Sequence, residues 1–141
     1  MTLSALTFPT TAQNKRNITA NNDPNTVQNT GNKDYLNFTI KGIDLLGDSN
    51  SATSIPAANF TVRNLTGGTD PAFNECTNST ISGTKLVNNT AINIEGANVT
   101  RAAVAQNSLY FCIIHTPVGL TSQTYSTGGS PDEEDWTIAA V

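Results

Sequence analysis

The stretch Tyr35-Leu36-Asn37-Phe38-Thr39-Ile40-Lys41 decides the class of this chain. Leu36, Phe38 and Ile40 point one way and Tyr35, Asn37, Thr39 and Lys41 the other, a period of two that belongs to a half-buried β-strand. Working outward, Asn59-Phe60-Thr61-Val62-Arg63 repeats the pattern with Phe60 and Val62 inward, and Thr90–Glu95 and Asn98–Thr100 follow it more weakly. Ser108-Leu109-Tyr110-Phe111-Cys112-Ile113-Ile114-His115 is apolar on both faces and reads as a central strand covered on both sides. Gln123–Ser126 and Trp136–Val141 are further extended segments, and Thr116-Pro117-Val118-Gly119-Leu120 separates the first of them from the central strand. No window has helical periodicity. Short strands between turn signals predict an all-β chain, an antiparallel β-sandwich.

The 141 residues suit one domain. Only 13% are charged and the net charge is −4, which argues against nucleic acid or an anionic membrane surface as partner, since both need clustered Lys and Arg. No run of 18 apolar residues exists, so no membrane span is expected. Asn, Thr and Ser stand in for charge, at 18, 22 and 10 residues. The first residues have neither a basic region nor a long apolar run and are no intact signal peptide. With this composition we expect an exported chain whose export information has been removed, placed outside the cell or on its surface.

Seven positions match Asn-x-Thr with x not Pro: Asn17, Asn37, Asn59, Asn64, Asn78, Asn88 and Asn98. Composition alone would give about four matches to the Asn-x-Ser/Thr pattern. They are the candidate N-glycosylation sites, and N-linked glycans are an expected partner. Alternation puts Asn37 with Thr39, and Asn59 with Thr61, on the wet face while the intervening Phe fills the core. Cys76 and Cys112 are the only cysteines. In an exported chain they read as one disulfide, the alternative being two buried free thiols.

Residues 1–11 are read as an apolar leader strand, 12–33 as an Asn-rich tether with a short strand near Arg16–Thr19, and 34–141 as the sandwich body. An apolar strand on a polar tether can fold onto its own sheet or pair with a neighbour's sheet edge. Leu3, Leu6 and Phe8 are the candidate subunit contacts.

Catalytic chemistry is short of parts. His115 is the sole imidazole and ends a strand, with no Gly-x-Ser-x-Gly elsewhere. We expect no enzyme, no cofactor and no metal site. The acidic run Asp132-Glu133-Glu134-Asp135 lacks EF-hand spacing and reads as a solvated loop.

Two stretches carry a family resemblance. Asn29-Thr30-Gly31-Asn32-Lys33-Asp34-Tyr35-Leu36-Asn37-Phe38-Thr39-Ile40 resembles the opening of Ig-like β-sandwich domains in prokaryotic, especially archaeal, surface proteins. Leu109–Cys112 through Thr116-Pro117-Val118-Gly119-Leu120 to Thr124-Tyr125-Ser126 resembles their closing hairpin. The chain departs from that pattern at Ser126-Thr127, where Gly usually follows Tyr, and at the acidic loop. The resemblance spans about residues 25–141 and implies an Ig-like sandwich. Such domains occur in adhesins, surface layers, stalks and pilus-like filaments. The expectation is a structural subunit of a surface filament, a homopolymer joined by strand donation. The second expectation is an adhesin or stalk domain of a larger surface protein, with its ligand on loops 64–75 or 116–135.

Overall fold

The structure is a computed structural model and describes residues 6–29, 31–35, 37–65, 76, 83–100, 106–127 and 135–141. It is all-β. The strands are β1 (Arg16–Thr19), β2 (Asn25–Gln28), β3 (Phe38–Gly42), β4 (Leu45–Gly47), β5 (Ser54–Ile55), β6 (Phe60–Leu65), β7 (Thr84–Lys85), β8 (Thr90–Asn93), β9 (Gln106–His115), β10 (Tyr125–Ser126) and β11 (Thr137–Ala140). Among the described residues the one helical element is a single 3-10 turn, Ala57–Asn59, entered from Pro56, and no helix is long and apolar enough to cross a membrane.

Among the described residues these strands pair with one another antiparallel, in three sheets. The largest is built on β9, which pairs β6 along one edge and both β1 and β2 along the other. β3 lies between β8 and β11, with Ile40 in register with Ile92 and Ile138. β4 lies between β5 and β10.

The alternation seen in sequence becomes the core. Phe38, Ile40, Phe60 and Val62 are buried, and with Leu109, Phe111, Ile113 and Ile138 they form one apolar cluster. Trp136 joins it edge-on to Phe60, ring centroids 5.0 Å apart. Its indole N–H donates to the Ile43 carbonyl at 2.9 Å, so the one buried indole leaves no polar atom unsatisfied. β9 is apolar on both faces because both are covered. Leu109, Phe111 and Ile113 enter the main cluster, while Cys112, with Tyr110 and Ile114, packs against Cys76 on the opposite face.

The stretch 12–33 carries the short strand expected near Arg16–Thr19 as β1 and adds a second strand, β2, both laddered to β9. The sequence pattern hides β2 because its inward positions are Asn25 and Val27, only one of them apolar. This chain uses Asn inside. The buried Asn29 amide donates to the Lys33 carbonyl at 2.6 Å and its oxygen accepts the Gly31 N–H at 2.9 Å. The buried Asn107 amide donates to the Asn98 carbonyl at 2.6 Å. A buried amide that satisfies backbone groups costs little of what an unpaired one would.

One expectation needs correction, that of Thr61 on the wet face. This residue does lie opposite Phe60 but is fully buried, not wet, because the backbone of Cys76 covers that face, with the Thr61 hydroxyl 3.5 Å from the Cys76 carbonyl.

Candidate functional site

Cys76 and Cys112 form a disulfide, Cα atoms 5.4 Å apart. Cross-strand register puts Thr19 of β1 and Thr61 of β6 on either side of Cys112. The Cys76 N–H donates to the Asn17 side-chain oxygen at 3.2 Å. The bridge therefore sits on the outer face of the β9 sheet, with its Cys76 end held from β1 and β6 as well as by the sulfur. In the chain-entropy model, closing this loop contributes about 4 kcal/mol.

The candidate glycan acceptors separate by exposure. Asn17, Asn37, Asn88 and Asn98 are exposed, whereas Asn59 and Asn64 are half-buried. At Asn17 and Asn88 the bonded atom is the side-chain oxygen, which accepts from the Cys76 and Asp44 backbone N–H groups respectively. A sugar is joined to the nitrogen, so both bonds are compatible with a glycan. At Asn64 the nitrogen itself is engaged, donating to the Gly96 carbonyl at 2.7 Å. Asn59 sits in the 3-10 turn with its partner Thr61 buried. Asn78 lies outside the described residues.

The leader is the third feature, and Leu3 also lies outside the described residues. Residues 6–10 form no strand. Leu6 and Phe8 instead pack against this chain's own core, with the Phe8 and Phe60 rings 5.5 Å apart. Between them the Thr7 carbonyl accepts the Asn21 N–H at 2.8 Å, and the Thr7 N–H donates to the Asn22 side-chain oxygen at 3.1 Å.

The loop that holds the leader was not legible in sequence as a functional element. β1 and β2 pair β9 on either side of Phe111, and the 20–24 loop bridges the gap. Ala20 N–H donates to the Phe111 carbonyl at 3.0 Å, and the Asp23 carboxylate accepts the Phe111 N–H at 2.9 Å. The carboxylate thus replaces a missing ladder partner. Burial raises the Asp23 pKa from 3.8 to about 6, against the opposing pull of the Phe111 N–H.

A second clamp follows the leader. The buried Thr116 hydroxyl donates to the Ala12 carbonyl and accepts the Lys15 N–H, both at 2.9 Å. Thr116 N–H donates to the Lys15 carbonyl, and Asn14 N–H to the Thr116 carbonyl. The Gln13 side chain accepts the Gly119 N–H at 2.8 Å and donates to the Leu120 carbonyl.

His115 pairs its ring Nε2 with the Asn14 side-chain oxygen at 2.8 Å, as part of this clamp. Among the described residues no group of three His, Cys, Asp or Glu side chains is placed to hold a metal ion.

Comparison of the chain with known protein families, with characterised proteins and with solved structures gives no match.

Proposed function

We propose that this chain is an extracellular, N-glycosylated, non-catalytic structural protein, a β-sandwich subunit of a pilus-like surface filament joined by strand donation between copies. The observation that carries the reading is the leader. Its apolar side chains fill a seat on the body, yet residues 6–10 contribute no strand to any sheet. A segment whose described residues are held by side-chain insertion and by the hydrogen bonds of Thr7 is suited to exchange between identical bodies.

Three further observations support the setting. The sheets β1/β2–β9–β6–β7 and β11–β3–β8 contribute to one apolar cluster, as the two layers of a sandwich would. A disulfide suits an oxidising compartment. Four exposed acceptor sequons allow a sugar coat that leaves the core undisturbed.

Electron microscopy of the material from its native surface is the direct test. Filaments that bind antibody to this chain, and that disappear when residues 1–11 are deleted, are the expected result. Monodisperse particles, or filaments that persist without the leader, would refute the reading.

A further inference from the structure

We propose that the leader is an exchangeable plug. It caps its own seat in a free subunit, swings about residues 9–11, and fills the same seat on a second copy of this chain in an assembly; the inference rests on the strand-donation reading. The seat is defined by what occupies it now. Phe60 receives the Phe8 ring, the Asn21 N–H receives the Thr7 carbonyl, and the Asn22 side chain receives the Thr7 N–H. A second copy brings an identical leader, so every one of these contacts can be remade in trans with no new chemistry.

The pivot is fixed by a change in anchoring along the chain. Residues 6–8 are held at the seat. Residues 12–15 are held separately at the Thr116 clamp, through Ala12, Asn14 and Lys15 with Gln13 reinforcing them. Between the two, Pro9, Thr10 and Thr11 are exposed, and the Thr11 hydroxyl reaches only the adjacent Ala12 carbonyl. The leader can therefore leave its seat without disturbing β1.

This geometry sets a distance. From Phe8 to Ala12 there are four Cα steps, which span at most about 14 Å. A neighbour's seat must lie within that reach of the donor's clamp, so successive bodies touch directly. One leader and one seat per chain give either a reciprocally exchanged dimer or a head-to-tail chain that stays open or closes into a ring, and the filament reading takes the open chain.

Cis capping also predicts latency: a free subunit whose seat is already full accepts no second leader. The full chain carrying Phe8→Asp should keep its fold but hold an emptied seat. A synthetic peptide of residues 1–11 is titrated into that variant and into the wild type, and binding is followed by the fluorescence of Trp136, whose ring meets Phe60. The peptide should bind the variant and leave the wild type unoccupied. Its own Phe8→Asp form should bind at least about tenfold more weakly, and a peptide ending at Phe8 should bind as well as the longer one. Phe8→Ala is the milder variant, used if Phe8→Asp does not melt cooperatively.

Failure of the peptide to bind a cooperatively melting variant would overturn the exchange. Equal binding to wild type and variant would overturn the cap, and loss of binding on removing residues 9–11 would overturn the pivot. Absence of filaments on the native surface would remove the filament reading but leave the peptide result standing, so the two fail separately.

Discussion

Replacing Asp23 by asparagine isolates one term in the stability of the central sheet. The Asp23 carboxylate is half-buried, accepts the Phe111 N–H at 2.9 Å and has its pKa raised by burial to about 6. In the unfolded chain the same group titrates near 3.9. Between these values the folded state binds more protons than the unfolded state, so stability falls as pH rises. The contribution of the protonated carboxyl is fully present below about pH 4 and is lost as pH climbs through about 6. Two pKa units correspond to about 3 kcal/mol, and the partial exposure of the group screens this toward about 1 kcal/mol.

The amide introduced by Asp23→Asn would keep an oxygen for the Phe111 N–H and carry no charge at any pH. Urea unfolding of both proteins at pH 4, 5, 6 and 7 gives the difference directly, with the titration of every other carboxylate cancelling between them. The variant should match the wild type at pH 4 and exceed it by about 1 kcal/mol at pH 7. A difference that does not change with pH, or a variant that weakens relative to the wild type as pH rises, would refute the argument that burial dominates at this site.

Other outcomes follow from the same structure. Replacing both Cys76 and Cys112 by Ser should lower the free energy of unfolding by about 4 kcal/mol, read as a fall in the urea midpoint that excess reductant reproduces in the wild type. Gly47→Ala would drive a Cβ into the Gln123 side-chain amide and place it 2.6 Å from the Asn50 carbonyl. Gln123 there accepts the Ser49 and Asn50 N–H groups at 2.8 Å each. The crowding should cost about 1–3 kcal/mol, measured by thermal unfolding. Site-resolved mass spectrometry of the protein from its native source should find higher glycan occupancy at Asn17, Asn37, Asn88 and Asn98 than at Asn59 and Asn64; the reverse order would show that exposure in the folded chain does not govern attachment.

The strands nearest the core were legible because one face of each is apolar without interruption. Phe38 and Ile40, and Phe60 and Val62, need only the period of two to be placed inward, and all four are buried. β9 was legible as central because apolar residues on both faces have no other stable position. The second faces were not legible. Thr61 and Thr39 have the same local pattern, yet Thr61 is fully buried and Thr39 is partly exposed. The difference is Cys76, which lies 15 positions from Thr61 in the chain and is brought over it by the bond to Cys112. β2 was hidden for a related reason: Asn25 reads as a surface residue from its chemistry, yet it is buried in the fold.

The leader shows the same division. Its apolar content announced that Leu6 and Phe8 would be covered, but not by what; the seat combines Phe60 of β6 with the loop after β1, two places far apart in sequence. The sequence by itself determined the all-β class, the inward residues of its main strands, the one pair of cysteines and the seven Asn-x-Thr matches, because these depend on local periodicity and residue chemistry. Only the tertiary structure decided which polar residues are interior, how Asp23 bonds the Phe111 N–H of β9, and what holds Leu6 and Phe8, because each depends on contacts between segments whose separation the local pattern does not encode.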